Sequence, residues 1–213
     1  MPRIARLVVP DAPHHVTQRG NRREPVFFED GDQARYLAFI KAGAEQSGTA
    51  VWAYCLMPNH VHLIVVPSHA DGLRGMFAEA HRQYTNFINW RHNWTGHLWQ
   101  SRFGSVAMDE DHLGEAVRYV AQNPVRAGLV SAPQDWPFSS VRAHLAGVSD
   151  GLIEAAPILE RFPDFRSLIE APERFKEFDP LRRAETSGRP LGTKEWIKQL
   201  EDSTGRSLAM KRR

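Results

Sequence analysis

The alternation of apolar and polar positions predicts four short strands. Residues 14–19 alternate as a first strand that ends at a Gly-Asn pair. Residues 50–57 and 60–67 are rich in apolar and β-branched residues, and only Pro58-Asn59 separates the second run from the first. So short a connection predicts that these two strands pair as a hairpin. Residues 98–108 can form a fourth strand at an edge of the sheet.

Apolar residues recur at helical spacing in three longer segments. The first begins after Asp30 or Asp32, either of which can cap it, and stops at Gly48. The second covers about residues 71–92, and the third begins at a run of three acidic residues. We expect the third to end at about Asn123, because the residue before a proline is disfavoured in the α region. This order of elements predicts an α+β fold, a ferredoxin-like antiparallel sheet of about four strands with packed helices.

The composition of the chain changes after Gly147. Prolines recur at short intervals beyond it and separate segments such as 165–171 and 194–201, which can form small helices. The sequence therefore predicts one domain over residues 1–147 and a C-terminal extension over residues 148–213. We expect that extension to consist of small helices or partly disordered chain that ends in a basic tail.

Composition restricts the class of protein. A chain of 213 residues that is 42% hydrophobic can bury the core of one ordinary domain with an appendage. No apolar run reaches the roughly 18 residues that a membrane span needs, so no membrane partner is expected. The N-terminus has no apolar stretch of signal-peptide length. The single Cys55 cannot form an internal disulfide, and a cytoplasmic protein is therefore expected.

The kind of basic residue says more than the net charge of +2. Of the 27 basic residues, 22 are arginine, which favours bidentate contacts to phosphate and to guanine edges. Basic residues cluster at 19–23, at Arg182-Arg183 and at 211–213. Such clusters favour a polarised surface that binds nucleic acid, and an ordinary solvated surface is the alternative.

The candidate chemistry centres on His60 and His62. Side chains alternate along a strand, so both imidazoles lie on one face, where they can share a divalent metal ion. The strand is apolar on both faces beyond this pair, which indicates a covered sheet with a polar site at its edge. Two half-exposed histidines without a ligand are the alternative. A catalytic site also needs a third ligand and a reactive group.

Two other stretches carry groups of interest. Tyr119 and Asn123 are four residues apart on a predicted helix and so lie on one face. Residues 98–103 mix aromatic and basic groups, which suits stacking on unpaired bases, although the same stretch can simply be part of an edge strand. Tyr84 lies within an apolar helical stripe, and we interpret it as a core or groove residue.

Four of these segments together resemble the single-tyrosine transposases with a His-hydrophobic-His motif, specifically the REP-associated tyrosine transposases. The resemblance extends from residue 14 to about residue 147. The segments occur in the order HVTQRGNR (15–22), MPNHVH (57–62), LWQSRF (98–103) and YVAQNPVRAG (119–128). The resemblance implies that the first domain is a nuclease and strand transferase for single-stranded DNA.

The resemblance also implies roles for particular residues. Tyr119 would be the nucleophile that forms a 5′-phosphotyrosine, and His60, His62 and Asn123 would hold Mg²⁺ or Mn²⁺. A glutamine is usual at the third ligand position in related insertion-sequence transposases, whereas this chain has Asn123 there and Gln122 beside it. The sequence identifies no base for the tyrosine.

The substrate that the resemblance implies is a palindromic repeat folded as a hairpin, with a short guide sequence beside the stem. The protein would meet this DNA in the nucleoid, as a monomer or a homodimer. The C-terminal extension could add a contact to the stem. The predicted DNA contacts are Arg19, Arg22, Arg23, Trp99, Arg102 and Arg126.

Three other functions remain open on the sequence. A nucleotide hydrolase of the histidine-triad type would carry another histidine at position 64, where this chain has isoleucine. A hairpin-binding regulator without catalysis would keep the DNA contacts alone. In a purely structural domain the histidines and Tyr119 would be packing residues, and the tyrosine would lie far from the histidine pair.

Overall fold

The computed structural model describes residues 6–171 and 177–208. The basic cluster at 211–213 lies outside these ranges. Within them, no helix combines the length and the apolar composition that crossing a membrane requires.

A four-stranded antiparallel sheet forms the centre of the molecule. Its strands are β1 (His14–Arg19), β2 (Thr49–Met57), β3 (His60–Pro67) and β4 (Gly104–Ala107). Their spatial order in the sheet is β2-β3-β1-β4. The turn at Pro58-Asn59 joins β2 and β3 as the predicted hairpin. The predicted α+β class and ferredoxin-like sheet are confirmed.

The fourth strand is shorter than the apolar pattern predicts. It begins at Gly104, whereas Trp99 makes only an isolated bridge to Gly20 near the end of β1. Ser101 has a φ of 62°, a left-handed conformation that cannot continue a strand. The stretch from 98 to 103 is therefore mostly irregular chain that crosses one end of the sheet.

Helices surround this sheet on both faces. In the part of the chain that the structure describes, they are α1 (Asp32–Ser47), α2 (Gly72–His92), α3 (Glu110–Arg126), α4 (Val141–Ala146), α5 (Ala156–Arg161), α6 (Phe165–Glu170), α7 (Asp179–Ser187) and α8 (Lys194–Thr204). Single 3₁₀ turns occur at Asn21–Arg23 and Pro133–Asp135.

The start of α1 differs from the predicted aspartate cap. Gly31 occupies the capping position, and Asp32 is the first helical residue. The Asp32 carboxylate instead accepts hydrogen bonds from the backbone N–H groups of Phe28 and Glu29 and from Arg91 on α2. The partner on α2 is a tertiary contact that no local capping rule includes.

The end of α3 was also predicted wrongly. The helix passes through Pro124 and ends at Arg126, rather than stopping at Asn123. A proline in the last turn removes only one backbone hydrogen bond, and the turn still closes because Ala127 N–H donates to Asn123 O at 3.0 Å. Pro124 is buried, so this last turn packs against the rest of the protein.

The two faces of the sheet support separate cores. Helices α1 and α2 cover the face that carries Val61, Leu63 and Val65 of β3. Helix α3 covers the other face, which carries Ile64. Helices α5, α6 and α7 of the C-terminal extension add apolar side chains to this second core, among them Ile158, Phe165, Ile169, Leu181 and Ala184.

Phe178, the residue just before α7, shows how firmly the extension is held. Its side chain is only 1% exposed and packs edge-on against Tyr119 of α3, with ring centroids 5.2 Å apart. Burying one phenylalanine contributes about 1.5–3 kcal/mol. This contact fixes the start of α7 beside the middle of α3.

Candidate active site

The histidine pair and Tyr119 meet in one cavity. His60 and His62 project from β3 toward α3, and with Tyr119 they line a cavity of about 290 Å³. The ring centroids of His60 and His62 are 4.9 Å apart, and those of His62 and Tyr119 are 5.6 Å apart. The tyrosine is thus close to the histidines, which contradicts the alternative of a structural domain with distant residues.

His62 is held by a third histidine. Nε2 of His15, on β1, lies 2.9 Å from Nδ1 of His62, and the two rings stack with centroids 5.1 Å apart. The other ring nitrogen of His62, Nε2, is buried and finds no hydrogen-bond partner among the described residues. Buried polar atoms are normally paired, so this nitrogen is available to a ligand.

Burial keeps these histidines neutral. It lowers the pKa of His15 to about 3, and burial together with nearby Arg19 lowers the pKa of His60 to about 4. Burial, followed by the charges of His15, His60 and Arg19, lowers the pKa of His62 well below its ordinary value. A neutral imidazole keeps a nitrogen lone pair, which is the form that binds metal.

Tyr119 lies among charges of both signs. Burial raises the pKa of Tyr119, and the carboxylate of Glu185 raises it further. A hydrogen bond from Arg182 and the charge of Arg19 act in the opposite direction. The guanidinium of Arg126 lies over the tyrosine ring, 4.8 Å from its centroid. The phenol is therefore protonated at neutral pH, but cations surround the position where its negative charge would develop.

Glu185 of α7 is the unexpected member of the site. It lines the cavity, and its Oε1 lies 3.3 Å from Nδ1 of His15. Burial raises the pKa of Glu185 to about 7, against the charges of Arg19 and Arg182. His15, His62 and Glu185 offer nitrogen and oxygen atoms within 4.8 Å of one another, a spacing that could hold a metal ion.

Sequence reasoning did not select His15 or Glu185. His15 could have been found, because residues 15 and 62 both belong to predicted strands of one sheet. Glu185 is far from Tyr119 in the sequence and lies in the C-terminal extension, where we found no motif. No local sequence pattern therefore identifies it as a site residue. Other polar residues that line the cavity and were not predicted are Thr17, Gln18, Gln100 and Thr186.

The predicted third ligand lies apart from the cavity lining. Asn123 is one turn beyond Tyr119 on α3, but it is not among the residues that line the cavity. Its Nδ2 is buried and finds no hydrogen-bond partner in the part of the chain described. Gln122 points elsewhere and donates a hydrogen bond to the carbonyl of Ile169 on α6. The role of Asn123 as a ligand stays a prediction.

Four of the predicted DNA contacts are arginines on β1, on the turn that follows it and on the segment before β4. Arg19 and Arg102 line it, and Arg19 is the register partner of His60 between β1 and β3. Arg22 and Arg23 are exposed on the 3₁₀ turn that follows β1. Arg19 and Arg102 therefore form a basic rim beside the histidine pair, where a phosphate backbone could be held.

Trp99 does not belong to this rim. Its side chain is only 7% exposed and packs in the core on the opposite face of the sheet, against Tyr36, His81 and Tyr84. Most of the indole surface is thus covered by protein, and little remains for stacking on a base. This burial favours a structural role for Trp99.

Comparisons with known proteins identify the family of this chain. Residues 8–123 match the family described as "Transposase IS200 like". A REP-associated tyrosine transposase of Escherichia coli K12 is 27% identical over 127 residues, which cover 59% of this chain and 73% of that protein. A Haemophilus influenzae protein, provisionally given the same name, is 30% identical over 100 residues, 41% of this chain. The chain spans only 56% of the length of that second relative.

A solved structure shares the fold. It is a REP-associated tyrosine transposase bound to a REP hairpin, with a TM-score of 0.60 and 23% sequence identity. The match covers 73% of this chain and 90% of that one.

Proposed function

The chain belongs to the family of IS200-like transposases, and on that premise we propose that it cleaves and rejoins single-stranded DNA through Tyr119. The observation that supports the proposal is the single cavity that contains the tyrosine and two neutral histidines. A nucleophile beside groups that can bind a cation is what phosphoryl transfer requires.

The chemistry conserves the energy of the phosphodiester. Tyr119 Oη attacks phosphorus and gives up its proton to solvent. The bond between phosphorus and the 3′ oxygen breaks, and the leaving 3′ oxygen takes up a proton from solvent. The products are a 5′-phosphotyrosine and a strand with a free 3′-hydroxyl. A second 3′-hydroxyl can then attack the same phosphorus and release the tyrosine, so that strands are joined without a nucleotide cofactor.

The donor set fits a divalent cation. The unpartnered Nε2 of His62 supplies a nitrogen, His60 lies beside it, and Asn123 is the proposed third ligand. A bound Mg²⁺ or Mn²⁺ would polarise the non-bridging oxygens of the scissile phosphate. Imidazole nitrogens favour Mn²⁺ over Mg²⁺, which prefers oxygen ligands.

The proposed substrate is a palindromic DNA hairpin. The relatives are named for REP sequences, and the matched structure holds a REP hairpin. In this chain the phosphates that lead into the cavity would be held by Arg19, Arg22, Arg23 and Arg102. Arg126, whose guanidinium lies over the Tyr119 ring, would stabilise the negative charge that develops on the tyrosine. We propose that the protein acts on chromosomal hairpins in the cytoplasm.

The test uses a labelled single-stranded hairpin taken from palindromes that flank the gene. The protein is incubated with it and Mn²⁺ or Mg²⁺, and a covalent protein–DNA band is sought on a denaturing gel. We expect a metal-dependent adduct that Tyr119→Phe and His60→Ala abolish. Tyr84→Phe is the matched control, because its hydroxyl is buried and donates to Val26 O at 2.7 Å.

Two results would contradict this assignment. An adduct that survives Tyr119→Phe would place the nucleophile elsewhere. Hairpin binding that is independent of metal and yields no adduct would instead support a catalytically silent DNA-binding regulator.

A further inference from the structure

His15 contributes to the site without facing it. Its side chain is 1% exposed, and it is not among the residues that line the cavity. It lies between two residues that do line the cavity, with Nε2 toward His62 Nδ1 at 2.9 Å and Nδ1 toward Glu185 Oε1 at 3.3 Å. A histidine in this position acts on the site only through these two neighbours.

The tautomers of the two histidines are linked through this contact. A neutral imidazole has one N–H and one lone pair, so one nitrogen of the His15–His62 pair must donate and the other accept. His15 Nδ1 and Glu185 Oε1 lie 3.3 Å apart without forming a hydrogen bond. The negative charge of an ionised Glu185 carboxylate at this distance favours the proton on the nearer nitrogen, Nδ1, and His15 Nε2 is then the acceptor. His62 Nδ1 must then donate, which leaves the lone pair of His62 on the buried, unpartnered Nε2.

We propose that Glu185 and His15 are positioning residues that hold His62 in the tautomer and orientation needed for cation binding. The inference rests on the proposed function, because it supposes that His62 binds the metal ion. Partners behind a ligating histidine commonly fix its tautomer in this way. Here the chain of contacts has two members, a carboxylate and a second histidine.

We call the contacts that run from Glu185 through His15 to His62 the relay. The relay makes the C-terminal extension part of the active site, because Glu185 belongs to that extension. Glu185 is on α7, whose Leu181 and Ala184 are buried in the core beside α3. The carboxylate is therefore delivered by a packed helix. A chain without this helix would keep Tyr119 and both histidines of β3, but His15 would lose its carboxylate partner.

The alternative is that Glu185 is itself a metal ligand and His15 only packing. The positions of His15 and Glu185 favour the relay, because the 3.3 Å contact of the carboxylate is to the histidine that lies outside the cavity lining. The two arrangements differ in what they require of His15. The relay needs a hydrogen-bond acceptor at that position, whereas direct ligation does not.

The first measurement is the tautomeric state of the histidines in the metal-free, full-length protein. Long-range ¹H–¹⁵N correlation spectra distinguish Nδ1–H from Nε2–H imidazoles. We expect His62 to carry its proton on Nδ1, and His15 likewise. A wild-type spectrum that shows His62 protonated on Nε2 would overturn the proposal, and no variant is needed for this result.

The second measurement is Mn²⁺ affinity without DNA, followed by electron paramagnetic resonance. We expect His15→Leu to weaken binding by about 10- to 100-fold, the usual effect of losing such a partner. His15→Gln, whose amide oxygen can accept the His62 proton, should restore affinity to within a few-fold. Glu185→Gln should weaken binding by about 10-fold. Glu154→Gln, an exposed glutamate of the extension, should leave it unchanged.

The outcomes distinguish the relay from direct binding of the metal ion by Glu185. Wild-type affinity in both His15→Leu and Glu185→Gln would overturn the relay. A loss in Glu185→Gln with no loss in His15→Leu would overturn it in favour of direct ligation. A protein that shows the expected tautomers but never cleaves a hairpin would contradict the proposed function and leave the relay intact.

Discussion

Breaking the ion pair between Asp32 and Arg91 should lower the stability of the fold and leave the rate of adduct formation unchanged. It joins the start of α1 to the end of α2, on the face of the sheet opposite the cavity. Asp32 is 1% exposed and accepts two hydrogen bonds from the Arg91 guanidinium, at 2.7 and 2.8 Å. It also accepts from the N–H groups of Phe28 at 2.7 Å and Glu29 at 3.0 Å.

The change Asp32→Ala removes all four hydrogen bonds at once. Breaking a buried ion pair from one side costs about 3–5 kcal/mol. Arg91 would keep a second partner, Glu29, at 3.2 Å, and so the cost should be at the lower end, about 3 kcal/mol. For a chain of this size that loss lowers the melting temperature by roughly 6–12 °C. Asp30→Ala, the same change at an exposed neighbour, should cost less than about 0.5 kcal/mol.

The pH dependence has a definite sign. Burial by itself would raise the pKa of Asp32, but the hydrogen bonds from Arg91, Phe28 and Glu29 outweigh it and lower the pKa. A carboxyl with a lowered folded-state pKa stabilises the fold fully above its unfolded value and loses that contribution as pH falls through the folded value. The gap between wild type and Asp32→Ala should therefore be constant from neutral pH down to roughly pH 5 and shrink below about pH 4.

The assay is urea unfolding followed by circular dichroism, repeated across this pH range. A loss under about 1 kcal/mol at neutral pH would refute the reasoning, because it would show that the pair is not coupled as its geometry indicates. A gap that widens as pH falls would refute the assigned protonation state. Below the unfolding transition, the rate of adduct formation should be unchanged, since the pair and the cavity are on opposite faces of the sheet.

Three further changes test packing. Trp99→Phe should lower the free energy of unfolding by about 1–3 kcal/mol. Its hairpin affinity, measured by filter binding, should stay within two-fold of wild type. A large loss of affinity without destabilisation would instead support Trp99 as a DNA contact. Gly43→Ala should cost about 1–3 kcal/mol in the same unfolding assay, because the new Cβ would lie 2.6 Å from Met76 O; a neutral result would show that α1 and α2 can separate freely. Asp109→Ala removes the side-chain cap of α3 and an acceptor for Thr193 N–H at 2.7 Å, so protease cleavage should become faster around residues 188–193, and an unchanged cleavage pattern would contradict this.

Much of the fold could be predicted from local pattern. The period-two alternation at 60–67 and the two-residue connection before it predicted a hairpin with both histidines on one face, and the structure has this hairpin. Gly48 ends α1 in the left-handed conformation, as its position after the apolar stripe indicated. These features depend on residues within a few positions of one another, and for that reason they can be predicted from the sequence.

The candidate site was predictable in part. Tyr119 and His62 share a cavity because α3 packs on the face that β3 presents, and the motif resemblance anticipated that they belong together. The burial of Trp99, a predicted base contact, could not be read from the sequence, because it depends on α1 and α2 closing over the indole. Aromatic and basic neighbours in sequence look the same whether the ring is covered or exposed.

The sequence by itself determined which faces the side chains of each strand and helix occupy, since backbone periodicity fixes those directions. Only the tertiary structure decided which side chains from distant segments meet. Glu185 reaches His15 because α7 packs beside α3, and Arg91 reaches Asp32 because α2 runs alongside α1. Such contacts between distant residues depend on how the helices pack in two hydrophobic cores. Many residues along the whole chain determine that packing, and no short stretch encodes it.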